Sequence, residues 1–481
     1  MTSLQIALAG FAAMLALMAL RMPVGLSMLV VGGVGYSMLN GVGPFLAYMK
    51  TNTYHQFSNY TLSVIPLFIL MGALAERAGI ARALFKAAER GFGQTRGGLG
   101  MAVIGACTAF GAICGSSVAT TATFGRAALP ELRRYRYDGG FATGTIAVGG
   151  TLGILIPPSV ILVVYAITTE QNIAKLFQAA LIPGLMAALF YCIVIALVVR
   201  RNPDLAPVMP APEELPPARR PVWLRALGAL FAALVLYVGL TEALPTTLVV
   251  VGLLVALTLA FAEISIVPAL VIALIVVGGI YGGVFTPTEG AAVGTIAMLA
   301  AGLMQRSLSL VDIREALRQT AVTSGMIFII LLGAEVFGAF LALSRLPTVA
   351  GEWVGGLGYS PYLVLIAMLA FYILLGAVMD ELAMILLTLP VFFPIVQGLD
   401  FGMFQDDVAI WFGILVLIVV GIGLTAPPIG LNVFVIHQIA KDVPLLATYR
   451  GVLPFLAADL LRLGLVLVFP TLALWLVRIL S

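Results

Sequence analysis

The side chains best placed to do chemistry cluster in four short stretches, each set in apolar sequence. Gly115-Ser116-Ser117-Val118-Ala119-Thr120-Thr121 is a run of small and hydroxyl residues. Gly149, Gly150, Thr151 and Gly153 lead into the pair Pro157-Pro158, and Gly421, Gly423 and Thr425 lead into Pro427-Pro428. Gly376 opens a stretch that closes on the acidic pair Asp380-Glu381. Hydroxyl oxygens and unpaired carbonyls are the ligands a hard cation such as Na+ takes, as in the carbonyl rings of ion pathways. The free N–H groups and positive dipole end of a helix starting near Ser117 favour a carboxylate; small residues there would equally allow close helix packing. A carboxylate at membrane depth is a functional residue by default, so Asp380 and Glu381 suit a cation or a proton, or one of them caps the arm that follows. Arg126 carries a guanidinium able to grip a carboxylate with two parallel hydrogen bonds. It lies nine residues beyond Ser117, about 13 Å of helix, which leaves snorkelling to the surface open as well. Thr286-Pro287-Thr288-Glu289 has the form of a capping box with proline at the first helical position, so Glu289 reads as a helix cap.

The elements that hold these stretches follow from the prolines. Gly153-Ile154-Leu155-Ile156-Pro157-Pro158 and Gly423-Leu424-Thr425-Ala426-Pro427-Pro428 look like copies set 270 residues apart. A proline pair removes backbone donors and clashes with the preceding turn. In hydrocarbon such a break survives only where protein or a cavity satisfies the freed groups, and paired breaks in two halves point to the binding site of a secondary transporter. Composition agrees with a membrane setting. Of 481 residues, 62% are hydrophobic and 10% charged, and mean hydropathy is +1.12, outside the range of soluble domains. The net charge of +3 gives no reason to expect nucleic acid. Cys107, Cys114 and Cys192 form neither a disulfide framework nor a metal spacing, and with only His55 and His437 a multi-histidine metal site is excluded. No Gly-x-x-x-x-Gly-Lys-Ser/Thr loop is present.

Apolar runs of about 20 residues mark spans, and Lys/Arg-rich loops mark the cytoplasmic side. Spans at about 4–20, 23–40 and 60–75 are separated by a polar stretch, 41–59. The basic residues Arg77, Arg82, Lys86, Arg90 and Arg96 follow and read as an amphipathic helix on the lipid surface. Segment 98–130 has two arms of about 15 residues, too short to cross, and reads as a re-entrant hairpin with a polar tip. A proline-broken helix at about 140–168 and a closing helix at 176–199 complete the first half. A Pro-rich, Arg-bearing linker, 200–222, reads as cytoplasmic. Residues 223–262 read as an inserted helix pair. The second half repeats the plan with spans at 266–285, from about 287 and at 321–343, a periplasmic stretch at 345–361, a hairpin at 362–394, a broken helix at 409–438 and a last span at 452–478. The expected divisions are 1–97, 98–175, 176–199, 200–222, 223–262, 263–361, 362–438 and 439–481. The charge pattern places both termini outside and inverts one half relative to the other. The fold class is therefore an all-α polytopic membrane protein with an inverted repeat, two re-entrant hairpins and two discontinuous helices.

Four motifs in order, Gly115-Ser116-Ser117-Val118-Ala119-Thr120, Gly150-Thr151 through Pro157-Pro158-Ser159, Gly283-Val284-Phe285-Thr286-Pro287-Thr288-Glu289 and Gly423-Leu424-Thr425-Ala426-Pro427-Pro428-Ile429-Gly430, resemble the large membrane subunit of TRAP (tripartite ATP-independent periplasmic) transporters. The resemblance spans nearly the whole chain. It implies an elevator-type importer in a bacterial inner membrane, driven by sodium, with no cofactor beyond that ion; 98–175 and 362–438 would form the moving transport domain and 1–97, 176–199, 263–361 and 439–481 the scaffold. It also implies organic-acid substrates such as C4-dicarboxylates or sialic acid, a periplasmic substrate-binding protein as donor, and a small four-helix membrane subunit as partner. Carried onto this sequence, one sodium site takes Ser116, Ser117, Gly149 and Gly153, and the other Gly376, Asp380, Gly423 and Thr425. The organic acid is expected between the breaks, touching Ser117, Thr121, Arg126, Pro157, Pro427 and Asn432. The helix pair at 223–262 departs from the family pattern. No small-subunit-like segment precedes the first span, so a separate small subunit is expected. A stand-alone divalent-anion/sodium symporter is the alternative within transport. An intramembrane enzyme using Asp380 or Glu381 is the alternative outside it, and no facing pair of catalytic carboxylates supports that.

Overall fold

The computed structural model describes residues 2–92, 95–207, 230–233, 235–236, 246–261 and 266–480, and among these every regular element is helical. Tyr60–Arg77, Ile173–Arg201, Leu310–Ser344, Gln405–Gly423 and Leu445–Val468 are long and apolar enough to cross a membrane. Gly139–Leu155 and Val160–Thr168 form a further span bent by 44°.

The first hairpin pairs Gly98–Cys114 with Ser117–Ala127, and the second pairs Pro361–Gly376 with Glu381–Gln397. Polar caps start the arms and the broken halves. The Ser116 hydroxyl accepts from Ala119 N at 3.4 Å, and one Asp380 carboxylate oxygen accepts from Leu382 N and Ala383 N at 3.1 and 3.0 Å. Asp138 caps Gly139–Leu155 by accepting from Phe141 N at 2.9 Å, and Ser159 restarts the chain after the prolines by accepting from Leu162 N at 3.5 Å. Each cap satisfies donors that a helix start leaves unpaired.

The second broken helix is Gln405–Gly423 followed by Leu431–Ile439. The two halves of the molecule interlock through these breaks. The second arm of the first hairpin packs on Gly139–Leu155 from its own half and on Leu431–Ile439 from the other. The second arm of the second hairpin packs on Gln405–Gly423 and on Val160–Thr168 in the same exchanged fashion. Each hairpin is thus held by both broken helices.

Ile173–Arg201 and Leu445–Val468 close the halves and lie directly on the breaks. A Cβ on Gly184 would sit 2.8 Å from Leu155 O. The Tyr449 hydroxyl reaches Pro428 O at 2.9 Å and Ile429 O at 2.6 Å, serving carbonyls that the break leaves without a helical partner. Gly140, Gly144 and Gly451 bring Gly139–Leu155 and Leu445–Val468 into backbone contact, a Cβ on Gly451 falling 2.1 Å from Gly140 O. Thr143 and Thr448 share a hydrogen bond of 2.9 Å at the same seam.

Several elements differ from the sequence reading. The polar stretch 41–59 contains a helix, Val42–Phe57. Gly41, at φ +91°, ends the preceding helix and lets the chain restart, and Tyr48 stacks on Tyr36 with ring centroids 5.3 Å apart. The stretch 345–361 likewise holds a short helix, Leu346–Gly356, and the span placed at 321–343 is part of the 35-residue helix Leu310–Ser344. The last span begins earlier, at Leu445, and stops at Val468. Pro470 breaks it, and Thr471–Leu480 packs back on Ile173–Arg201. The helix Ile80–Phe92 buries Ile80, Ala81, Leu84 and Phe85 and exposes Arg82, Lys86 and Arg90, as a surface-lying amphipathic helix does. Of the inserted pair, Thr246–Phe261 is a helix that packs on Val267–Tyr281. Most of its expected partner, 223–241, and the linker beyond residue 207 lie outside the described residues.

Candidate functional site

Three elements meet at a buried polar cluster: the start of Ser117–Ala127, the first half of the first broken helix, and Leu431–Ile439 beyond the second proline pair. Ser117, Thr121 and Asn432 are each fully buried. The Asn432 side-chain amide donates to Ser117 Oγ at 2.7 Å and to Ala147 O at 3.1 Å. Ala147 O can only accept, so the amide nitrogen faces it and the orientation of Asn432 is fixed. That leaves Asn432 Oδ1 buried with no partner, and Thr121 Oγ1 is equally unpartnered. Buried polar atoms are normally satisfied, so these two atoms, in one cluster with the start of an 11-residue helix, have the capacity to bind a polar group. Gly150 gives the clearance beside Thr121, since a Cβ there would lie 1.8 Å from Thr121 Oγ1 and 3.1 Å from Ser117 O.

The chemistry on offer is mixed. The Ser117 hydroxyl receives from Asn432 and keeps its own proton to give, and Thr121 can give or receive. The helix N-terminus supplies unpaired N–H groups and a positive dipole end, suited to a carboxylate. Asn432 Oδ1 is an acceptor and suits a hydroxyl, an ammonium or a cation.

The hairpin tips meet the broken helices at glycine. A Cβ on Gly153 would stand 2.5 Å from both Ser116 O and Thr120 Oγ1, and a Cβ on Gly423 would stand 2.7 Å from Gly376 Cα. Gly153 and Gly423 are 270 residues apart, like the prolines, so equivalent backbone contacts occur in both halves. At the second tip Ile429 N and Gly430 N reach Ala377 O at 3.3 and 3.4 Å. Buried Thr425 turns its hydroxyl to Ile422 O at 3.1 Å.

Of the residues singled out from sequence, Ser117, Thr121 and Asn432 come together in one cluster. Ser116 and Gly153 meet at one tip, and Gly376 and Gly423 at the other. Gly149 faces away from the first tip, its Cβ position lying 3.0 Å from Cys107 Sγ on the first arm. Pro157 and Pro427 each begin a cis Pro-Pro pair. Asp380 is exposed and its carboxylate caps the second arm. The neighbouring Glu381 is the acid that turns inward, with Oε2 buried and unpartnered. Arg126 is outside the cluster: its guanidinium pairs with Glu76 at 2.7 Å and its side chain is 59% exposed. Thr286 and Glu289 form a reciprocal cap, Glu289 N to Thr286 Oγ1 at 3.3 Å and Thr286 N to Glu289 Oε2 at 2.8 Å. Sequence reasoning missed Gly150 as the clearance beside Thr121, and the Ala147 carbonyl as the fixed point for Asn432. The Gly149-Gly150 doublet was the available signal for the first; a carbonyl in mid-helix gives none for the second.

The family model described as "Tripartite ATP-independent periplasmic transporter, DctM component" matches residues 11–472. The chain is 33% identical over 418 residues to the C4-dicarboxylate TRAP transporter large permease protein DctM of Pseudomonas aeruginosa, with 86% of each chain covered. It is 27% identical to the sialic acid TRAP transporter large permease protein SiaM of Vibrio cholerae, covering 93% of each. It is 27% identical to the ectoine TRAP transporter large permease protein TeaC of Halomonas elongata, covering 97% of each. Among solved structures, the YdaH transporter of Alcanivorax borkumensis shares the fold, with a TM-score of 0.57 at 13% identity over 90% of this chain and 89% of that one. The polytopic, doubly broken architecture and the match along almost the whole sequence lead to one assignment: this chain belongs to the family of TRAP transporter large membrane subunits, the DctM component.

Proposed function

We propose that this protein is a sodium-coupled importer of an organic acid, which a periplasmic binding protein delivers and which the chain carries with a separate small membrane subunit in a bacterial inner membrane. The observation that carries the reading is the Ser117–Thr121–Asn432 cluster. It is fully buried in the protein, leaves two polar atoms unpartnered and sits on a helix N-terminus between the two helix breaks. The relatives named for C4-dicarboxylate, sialic acid and ectoine share a carboxylate in their substrates, which is the group this N-terminus suits. The equivalent glycine contacts at Gly153 and Gly423 leave main-chain oxygens of both tips beside the breaks, and sodium is assigned there: Ser116, Ser117 and Gly153 on one side, Gly376, Gly423 and Thr425 on the other.

The moving body is drawn from the packing. Both hairpins and both broken helices interlock, and backbone contact at Gly140, Gly144 and Gly451 leaves no room for Leu445–Val468 to slide over Gly139–Leu155. The closing helices, which the sequence reading assigns to the scaffold at 176–199 and 439–481, meet the first broken helix at Gly184 and Gly451 and in this proposal travel with the hairpins, against the remaining helices as a frame.

The test is uptake into proteoliposomes holding the large and small subunits, with the binding protein outside and radiolabelled carboxylates as probes. Uptake should need both an inward sodium gradient and the binding protein. Uptake that persists unchanged without either would refute the proposal. Ser117→Ala and Thr425→Ala should each alter the sodium dependence, and an unaltered dependence in both would remove the cation sites from the tips.

A further inference from the structure

Buried charges lie one helix away from this cluster. Arg462 and Asp459 on Leu445–Val468 are each 1% exposed and pair at 2.8 Å. Tyr191 on Ile173–Arg201 donates its hydroxyl to both Asp459 oxygens, at 2.9 and 2.8 Å. The Tyr191 oxygen in turn lies 3.2 Å from Thr151 Oγ1, next in sequence to Gly150. Thr151 has one hydroxyl proton and two acceptors, Tyr191 and Val148 O at 2.7 Å. Donation to a carboxylate polarises the Tyr191 oxygen and makes it a better acceptor.

We propose that the Asp459–Arg462 pair, acting through Tyr191, is a positioning device that holds Thr151 and thereby sets the geometry of the Ser117–Thr121–Asn432 cluster. In the helix Gly139–Leu155 the Thr151 N–H bonds to Ala147 O, the same carbonyl that fixes Asn432. Displacing Thr151 displaces that carbonyl and Gly150 together. Thr151 also stands where the halves meet: its counterpart at the 270-residue offset is Gly421, and a Cβ on Gly421 would lie 3.8 Å from Thr151 Cβ.

The network is not a requirement of the fold. At the same offset Tyr191 matches Leu461, Asp459 matches Leu189 and Arg462 matches Cys192. The symmetry-related positions therefore carry no ion pair, and Leu189 and Leu461 are exposed. A buried ion pair is weak evidence for stability, and an ionisable group within a membrane span points to function. Here the arginine neutralises the carboxylate, and the carboxylate's remaining acceptor capacity is spent on Tyr191. The inference rests on reading the cluster as the solute site, and its test has a readout that does not need transport.

Hydrogen–deuterium exchange is measured on the large and small subunits in lipid nanodiscs. Tyr191→Phe keeps the ring and removes only the hydroxyl. Amides of 147–155 should exchange about fivefold faster, the ratio that losing one ordinary hydrogen bond sets, while those of 405–423 stay as in the wild type. Asp459→Leu combined with Arg462→Met removes the acceptor without stranding a charge, and should give the same local change, with no further increase when Tyr191→Phe is added. In uptake assays Tyr191→Phe should raise KM for the carboxylate probe with kcat preserved. Unchanged exchange at 147–155, an increase spread evenly over all helices, or additive effects of the three substitutions would each overturn the proposal. Failure of wild-type uptake under every sodium condition would instead sink the transport reading and leave the exchange result to decide the positioning role.

Discussion

Gly150→Ala tests the proposed assignment of the Ser117–Thr121–Asn432 cluster to the solute, at its tightest point. The added methyl would sit 1.8 Å from Thr121 Oγ1, 3.0 Å from Thr121 Cβ and 3.1 Å from Ser117 O. The first distance is far inside van der Waals contact, so Thr121 must turn away or the hairpin arm must move. Overpacking of this kind costs about 1–3 kcal/mol. If the solute-loaded state bears it, half-saturation rises about 5- to 150-fold. The assay is uptake of a carboxylate probe into proteoliposomes, paired with thermal unfolding of the purified protein. Thr121→Ala in the same chain removes the oxygen at 1.8 Å and leaves only the two contacts near 3 Å, which small shifts relieve. It should recover most of the lost thermal stability, while uptake stays impaired because the hydroxyl has gone. Gly153→Ala is the contrast, since its methyl would meet Ser116 O at 2.5 Å and Ser116 C at 3.0 Å. Those atoms are backbone, so Thr120→Ala should not rescue it. Wild-type uptake in Gly150→Ala, or equal rescue of both glycine variants by trimming the neighbouring threonine, would refute the geometry assigned to the cluster.

Asn432→Ala leaves Ser117 without its buried partner and should lower stability by about 1–3 kcal/mol. Uptake should fall with it, and wild-type KM in this variant would remove Asn432 from the solute site. Asn432→Asp turns a carboxylate toward Ala147 O and toward an anionic solute, and should abolish carboxylate uptake while the protein remains purifiable; retained uptake would argue that the solute presents a cation here. Arg126→Gln breaks an exposed pair with Glu76 of the kind worth about 0–1 kcal/mol, so KM should hold. A rise in KM of about tenfold, equal to 1.4 kcal/mol, would return the guanidinium to the solute.

What the sequence revealed and what it withheld divide by the range of the interactions. Proline acts on its own turn, so Pro157-Pro158 and Pro427-Pro428 disclose the two breaks directly. Thr286 and Glu289 are three residues apart, and their cap is legible for the same reason. The helix Val42–Phe57 was hidden because Lys50, Asn52, His55 and Gln56 give it no apolar run, and its order comes from packing on the neighbouring helix through Tyr36 and Tyr48. The fate of Arg126 depended on Glu76, 50 residues earlier, which spacing along one helix cannot show. Asp459 and Arg462 sit inside an apolar run that reads as an ordinary span, and their partner Tyr191 is 268 residues away. The exchange of packing between hairpins and the far halves of the broken helices is likewise a tertiary fact with no local period to announce it.

The two halves are alike where main chain meets main chain and unlike where side chains face the cluster. Gly153 and Gly423 occupy matching positions and touch matching tips, which suits an ion that needs only carbonyl and hydroxyl oxygens. The cluster draws Ser117 and Thr121 from the first half and Asn432 from the second, and the counterpart of Asn432 at the 270-residue offset is Leu162. A symmetric pair of breaks therefore encloses an asymmetric set of donors and acceptors, with the N-terminus of Ser117–Ala127 on one side and the Asn432 carbonyl oxygen on another. A solute that fills such a site has distinct ends: an anionic group on the helix N-terminus and a hydrogen-bond donor toward Asn432. Among carboxylates, those bearing a hydroxyl or amino group near the acid match this pattern better than an unsubstituted diacid. A competition series of equal-length acids with and without that donor would rank them accordingly, and equal inhibition by both classes would remove Asn432 Oδ1 as a point of selection.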